Sequence, residues 1–333
     1  MKSMKSVLAL ACAALLILTG CGSTSGASAG SAAVSGEGGT GGETLSVVST
    51  IFPAYDWTRQ ILGGHADAAQ LTWLTEGGTD LHSYQPTAED ILKISTCDVF
   101  IYVGGESDEW AEDALREKAN ADMTVIKLLE MPGSTVLTEE IADGMQAGEE
   151  EEEEGALDEH VWLSLSNAQV CCEAIAGALA AADPANAADY AANAETYTAQ
   201  LADLDAAYAD AVAAARLDTV LFADRFPFRY LTEAYGLTYY AAFAGCSAET
   251  QASFETVIFL AQKLDELDLP CVLTMEHADD EIAASVIRNS ENEERPIYSM
   301  HSLQGVTAEE LAGGLTYLSA MTQNLEVLKK ALA

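Results

Sequence analysis

Positive charge is what this chain has least of. Its 333 residues hold 15 Lys+Arg against 53 Asp+Glu, a formal net charge of −38. A field of that sign repels phosphate backbones, which excludes nucleic acid as an expected partner, and it concentrates cations near the surface. Histidine is scarce as well, at five residues: His65, His82, His160, His277 and His301. The seven cysteines (Cys12, Cys21, Cys97, Cys171, Cys172, Cys246 and Cys271) include no Cys-x-x-Cys pair, so neither a structural zinc finger nor a disulfide scaffold is indicated. The last five of them are expected to be buried free thiols. There is no His-Glu-x-x-His helix and, from Leu45 onward, no Gly-x-Ser-x-Gly elbow, the signatures of two hydrolase chemistries. Beyond the first twenty residues, no segment is expected to approach membrane-spanning length.

What is present begins with Met1–Gly20, which reads as an export signal. Lys2 and Lys5 start it, and Val7–Leu18 is an apolar core too short to span comfortably. Leu18, Thr19, Gly20 and Cys21 then resemble a bacterial lipoprotein signal, in which Cys21 becomes the lipidated first residue; an ordinary signal peptide or a membrane anchor is the alternative. Gly22–Thr44 is nearly all Gly, Ser, Ala and Thr, the composition of a flexible tether.

From Leu45 onward, strand-like and helix-like segments alternate at the spacing of parallel βα units. Strands are expected at Leu45–Ser49, Leu71–Leu74, Asp98–Gly105 and Met123–Leu128. In the second half they are expected at Val220–Phe222, Leu237–Ala241, Cys271–Thr274 and Pro296–Met300. Thr87 with Asp90, and Thr307 with Glu310, have the spacing of capped helix starts. Between the halves, Asn186–Ala215 places Tyr190, Tyr197, Leu201, Leu204, Tyr208 and Val212 on one helical face. A single spine joining two lobes is the simpler reading, with a coiled-coil strand as the alternative. The expected fold class is therefore α/β, two βα lobes with parallel-type sheets joined by one long spine helix. The boundaries are 1–20 for the signal, 21–44 for the tether, 45–165 for the first lobe, 166–216 for the linking helices and 217–333 for the second lobe.

One stretch carries unusual chemistry. Glu149, Glu150, Glu151, Glu152, Glu153 and Glu154 run into Asp158, Glu159, His160, Val161 and Trp162, giving an acidic loop at 149–157 that ends beside a histidine. An oligo-Glu run is normally a solvated loop. Carboxylates also concentrate divalent cations, and an imidazole beside them is a borderline-soft ligand. Open α/β sheets bind ligands at the carboxyl ends of their strands. The polar residues just after expected strands are His82 and His160 in the first half, and Asp224, Arg225, Glu276, His277 and His301 in the second. Together they suggest a metal site in an interlobe cleft.

At these residues the chain resembles the metal-binding lipoproteins of bacterial ABC importers for zinc and manganese. The resemblance is carried by Thr79-Asp80-Leu81-His82-Ser83-Tyr84-Gln85-Pro86, by Asp158-Glu159-His160-Val161-Trp162-Leu163-Ser164, and by Phe228-Arg229-Tyr230-Leu231 followed by Tyr235-Gly236-Leu237. It implies His82 and His160 as first-lobe ligands, capture of an ion outside the membrane, and delivery to an ABC permease by a lipid-anchored monomer. The family's third ligand position is filled here by Arg225, which stays protonated and cannot ligate a cation. Asp224 is the expected replacement, with Arg225 orienting it, and His301 is the expected last ligand with Glu276 in reserve. Three imidazoles and a carboxylate suit zinc, with manganese next. The alternatives are a tethered receptor for an organic solute or metal chelate, with Phe226, Phe228, Tyr239, Tyr240 and Phe243 lining an apolar pocket, and a zinc hydrolase with Glu159 or Glu276 as general base. The expected reading is a binding protein and no enzyme.

Overall fold

A computed structural model describes residues 44–146, 156–247, 249 and 251–333. The export signal, Cys21, the tether up to residue 43 and the six glutamates Glu149 to Glu154 lie outside the described residues.

The first lobe is built on four strands, β1 (Ser46–Ser49), β2 (Gln70–Trp73), β3 (Val99–Tyr102) and β4 (Thr124–Lys127), all parallel in the order β2-β1-β3-β4. Between them run α1 (Phe52–Leu62), α2 (Ala88–Thr96) and α3 (Glu109–Arg116). Val99, Phe100, Ile101 and Tyr102 are buried throughout, as a strand covered on both faces requires. Pro53 stands in the first turn of α1, where no N–H is needed, and Thr87 and Asp90 close a capping box on α2. The second lobe repeats the plan. Strands β5 (Thr219–Phe226), β6 (Thr238–Ala244), β7 (Val272–Met275) and β8 (Ile297–Met300) are parallel in the order β6-β5-β7-β8. Helices α6 (Arg229–Tyr235), α7 (Phe254–Glu266), α8 (Glu281–Arg288) and α9 (Ala308–Ala312) complete it, the last opened by the Thr307–Glu310 capping box. In each sheet the strand order reverses beside the first strand, which opens a crevice at the carboxyl ends.

The linking element differs from a lone spine. Helix α5 (Ala187–Ala214) is about 42 Å long, and it buries Tyr190, Tyr197, Leu201, Leu204 and Tyr208 on one face. It packs along α4 (Leu165–Ala182) and against α1, while the C-terminal α10 (Tyr317–Ala331) packs back against α5 and α1. Helix α4 is, among the described residues, the one helix long and apolar enough to cross a membrane. The low hydrophobic contrast around it reflects burial: Leu165, Ala168, Cys171, Cys172, Ile175 and Leu179 all face the core. Its length corrects the expectation that no such segment exists beyond the signal.

The lobes share one core. Trp57 of α1 meets Tyr317 edge-on at 5.1 Å between ring centroids. The Tyr317 N–H donates to the buried carboxylate of Asp56 at 2.8 Å, and its hydroxyl donates to the Trp162 carbonyl at 2.6 Å. The Trp162 indole N–H donates to the Ser302 carbonyl at 2.8 Å. These buried bonds tie the segment after His160 to the second lobe.

Candidate metal centre

His82 lies in a short 3-10 turn (Leu81–Ser83) whose start is capped by Asp80, with the His82 N–H donating to Asp80 Oδ1 at 3.0 Å. His160 precedes a second such turn (Val161–Leu163), and its N–H donates to Asp158 Oδ1 at 2.9 Å. The two imidazoles meet with Nε2 atoms 3.3 Å apart. Each ring is held from behind. His160 Nδ1 is 2.8 Å from Asp158 Oδ1, and His82 Nδ1 is 2.7 Å from Ser107 Oγ and 3.5 Å from Glu159 Oε2. A Nδ1–H donated to a carboxylate or hydroxyl leaves the Nε2 lone pair facing forward. Two such lone pairs directed at one another repel unless a proton or a metal cation lies between them. The spacing fits: two nitrogen ligands about 2.0–2.1 Å from a tetrahedral zinc are about 3.3–3.4 Å apart.

Electrostatics separates the two rings. Burial, and then the neighbouring His160, push the His82 pKa down to about 3, so this ring is neutral. Burial acts most strongly against charge on His160, but the carboxylates of Asp158, Glu139 and Glu159 together outweigh it and raise the pKa. Glu159 is buried and its pKa is raised by desolvation, even though Ser107 N–H donates to its Oε1 at 2.8 Å.

The third group at this point comes from the other lobe. Strand β6 ends at Ala244, and a turn closed by Ser247 N–H to the Ala244 carbonyl at 3.3 Å carries Gly245 and Cys246. One ligand atom each from His82, His160 and Cys246 lie within 4.8 Å of one another, and among the described residues no other group of three His, Cys, Asp or Glu does so. Cys246 is partly exposed, which corrects the expectation that all five thiols are buried; Cys97, Cys171, Cys172 and Cys271 are. Its place was missed because β6 runs three residues past the expected end at Ala241, so Cys246 did not fall at a strand end in the sequence. The glycine before a polar residue was the available signal: a Cβ at Gly245 would stand 2.8 Å from His160 Cε1 and 3.0 Å from the Phe226 carbonyl.

The expected second-lobe ligands are arranged otherwise. Asp224 and Arg225 lie inside β5, which continues to Phe226 beyond a register shift, and not in a loop after it. The Asp224 carboxylate is taken up by the N–H groups of Arg225 at 2.8 Å and Met275 at 3.0 Å. The Arg225 guanidinium turns away from Asp224 to Asp80 Oδ2, at 2.9 Å. His301 joins neither His82 nor His160. Its N–H donates to Asn324 at 2.7 Å, and its ring sits between Glu276 Oε1 at 3.3 Å and Glu310 Oε1 at 3.4 Å. Glu276 accepts from both the N–H and the hydroxyl of Ser302, and its pKa falls to about 2 because these bonds and His301 outweigh burial. The set His82, His160, His301 and Asp224 is thus not assembled at one point. The physical reason is that backbone donors and neighbouring acids already satisfy the last two.

His82, Asp224, Arg225, Cys246, Glu276 and Gln304 line a cavity of about 760 Å³ between the lobes. Gln304 is 4% exposed, and neither of its amide atoms has a hydrogen-bond partner. Of the aromatics expected around an apolar pocket, Phe243 lines this cavity, while Phe226 stacks on Tyr239 at 4.0 Å and packs with Phe228 in the core.

Two parallel-sheet lobes, a rigid helical link and a polar cleft with a histidine pair define a two-lobed α/β binding protein. The chain belongs to the family described as zinc-uptake complex component A, periplasmic, whose model matches residues 47–331. It is 27% identical over 296 residues to the zinc-binding protein AdcA of Streptococcus pyogenes serotype M3, covering 86% of this chain and 55% of AdcA. The chain therefore spans about half the length of that relative. It is 28% identical over 315 residues to the high-affinity zinc uptake system protein ZnuA of Bacillus subtilis, covering 92% and 93% of the two chains. Among solved structures, the Zn(II)-bound ZnuA-like domain of Streptococcus pneumoniae AdcA matches with TM-score 0.69 and 27% identity, over 87% of this chain and 99% of that one. The metal-dependent lipoprotein YcdH from Bacillus subtilis matches with TM-score 0.71 and 26% identity, over 86% and 99%.

Proposed function

We propose that this chain is an extracytoplasmic solute-binding lipoprotein that captures a divalent transition metal, zinc before manganese, and delivers it to an ABC permease. The observation that carries the reading is the His82–His160 pair, with its two Nε2 atoms at the spacing of tetrahedral zinc ligands. Family membership and relatives named for zinc binding and zinc uptake support the choice of ion. The anchor is Cys21, the tether follows it, and the acidic loop gathers cations near the cleft. The described residues flanking that loop agree with this last point. Gln146 N–H donates to the Ala242 carbonyl at 2.9 Å, and Leu157 bridges Thr138, so both ends lie near the strands and turns that hold the site. No enzyme family is indicated, and the membership is that of a transport component.

The test is elemental analysis of the purified protein after exposure to equimolar zinc and manganese. One zinc per chain, lost in His160→Ala and kept in His301→Ala, supports the reading. Zinc kept in His160→Ala but lost in His301→Ala moves the site to the Glu276–Glu310 side. The cavity volume favours one second reading, capture of a metal chelate, because about 760 Å³ exceeds the room a bare ion needs. Mass spectrometry of the protein isolated from its native host separates the two: a bound organic molecule supports the chelate, and bare zinc removes it.

A further inference from the structure

We propose that Cys246 supplies a thiolate to the cation held by His82 and His160, making this a two-histidine, one-cysteine site that selects soft and borderline ions over manganese. The inference rests on the reading of the histidine pair as the metal site.

Three observations carry it. The Cys246 sulfur shares the 4.8 Å neighbourhood of the two imidazole ligand atoms, and it approaches from the second lobe while both histidines belong to the first. The turn is shaped for that approach: Gly245 packs where any side chain would strike His160 Cε1. The cavity that Cys246 and His82 line also contains the buried, unpartnered amide of Gln304, a polar group that points to a ligand in this space.

A proton acceptor stands ready. The Cys246 N–H donates to Glu139 Oε1 at 3.4 Å, and the thiol donates to Glu139 Oε2 at 3.7 Å. As the sulfur–metal bond forms, the S–H bond breaks and the proton passes along that contact to the Glu139 carboxylate. A coordinating thiol is deprotonated outright by the cation's charge. With metal–sulfur near 2.3 Å and metal–nitrogen near 2.0–2.1 Å, a tetrahedral site needs S···N spacings of roughly 3.6 Å. The second-lobe turn therefore advances by up to roughly 1 Å on binding, which couples capture to closure of the cleft. Thiolate ligands favour zinc and Cu(I), whereas manganese favours oxygen donors. Three protein ligands leave a fourth position through which the ion can exchange.

Cobalt(II) is the probe. The purified full chain is loaded with cobalt and compared with Cys246→Ser, Cys246→Ala and His82→Ala, with thermal unfolding confirming that each variant folds. The expected result is a thiolate-to-cobalt charge-transfer absorption in the near ultraviolet for wild type. Both cysteine variants lose it but still bind cobalt at least about tenfold more weakly. Zinc preference over manganese should shrink in the same two variants. A charge-transfer band that is absent in wild type or unchanged in the variants, with cobalt still lost in His82→Ala, overturns the thiolate and leaves the histidine site standing. Failure of wild type to bind cobalt or zinc at all overturns the histidine reading itself, and the thiolate with it.

Discussion

Asp80 Oδ2 and Arg225 Nη2 lie 2.9 Å apart, joining the turn that carries His82 to strand β5 of the opposite lobe. The ion pair is a latch across the cleft, and it places a fixed positive charge beside the proposed metal site. Arg225 contributes to the lowering of the His82 pKa, after burial and His160.

Arg225→Ala removes that charge and frees the Asp80 carboxylate. Both changes favour a bound cation, so zinc affinity should rise by several-fold in calorimetric titration. The metal-free protein should lose about 1 kcal/mol of stability with the pair. Unchanged affinity would mean that Arg225 does not shape the field at the site.

Asp158 accepts from both the backbone N–H and the Nδ1 of His160. Asp158→Asn keeps the size but removes the charge that orients and enriches this imidazole. Zinc affinity should fall about 10–100-fold with stoichiometry retained. A competition assay against a chromophoric chelator measures it, and a change of less than threefold counts against His160 as a ligand.

Asp108 provides a pH test that is independent of metal. It is buried, and desolvation raises its pKa to about 6 although Val103 N–H donates to its Oδ2 at 2.6 Å and Thr50 at 3.2 Å. An acid whose folded pKa is raised binds its proton more tightly in the folded state. Stability from this group is therefore full below pH 3.8 and is lost as pH rises through about 6. Asp108→Asn removes this dependence. Relative to wild type the variant should gain stability between pH 4 and pH 7, by up to about 3 kcal/mol. Urea unfolding of both proteins in chelator across that range checks it, and a difference flat with pH contradicts it.

Deleting Glu149 to Glu154 should slow zinc uptake at low ionic strength while leaving one zinc per chain, because the loop acts by long-range attraction. The difference should shrink at 0.15 M salt, where the screening length is about 8 Å. Stopped-flow uptake measurements decide, and rates equal at low salt remove the loop's role.

Much of the fold was legible because its signals are local. The Thr87–Asp90 and Thr307–Glu310 pairs announced helix starts that the structure closes as capping boxes. The buried run from Val99 to Tyr102 read as a covered parallel strand. The spine face from Tyr190 to Tyr208 could be counted in steps of three and four. Strand ends were less legible. Strand β5 continues through the polar pair Asp224–Arg225, and β6 continues to Ala244, because beyond the register shift Arg225 and Phe226 pair with Phe243 and Ala244.

The sequence by itself determined the acidic excess, the alternating βα elements, and the motifs around His82 and His160, since the last two depend on neighbours a few residues away. Only the tertiary structure decided what meets at the cleft. Cys246 comes to the histidine pair, while Asp224, Arg225 and His301 are drawn to other partners. Those choices depend on how two sheets and a shared core hold the lobes together. A side chain's reach is a few ångströms, so the packing of distant elements, and not residue type, selects its partners.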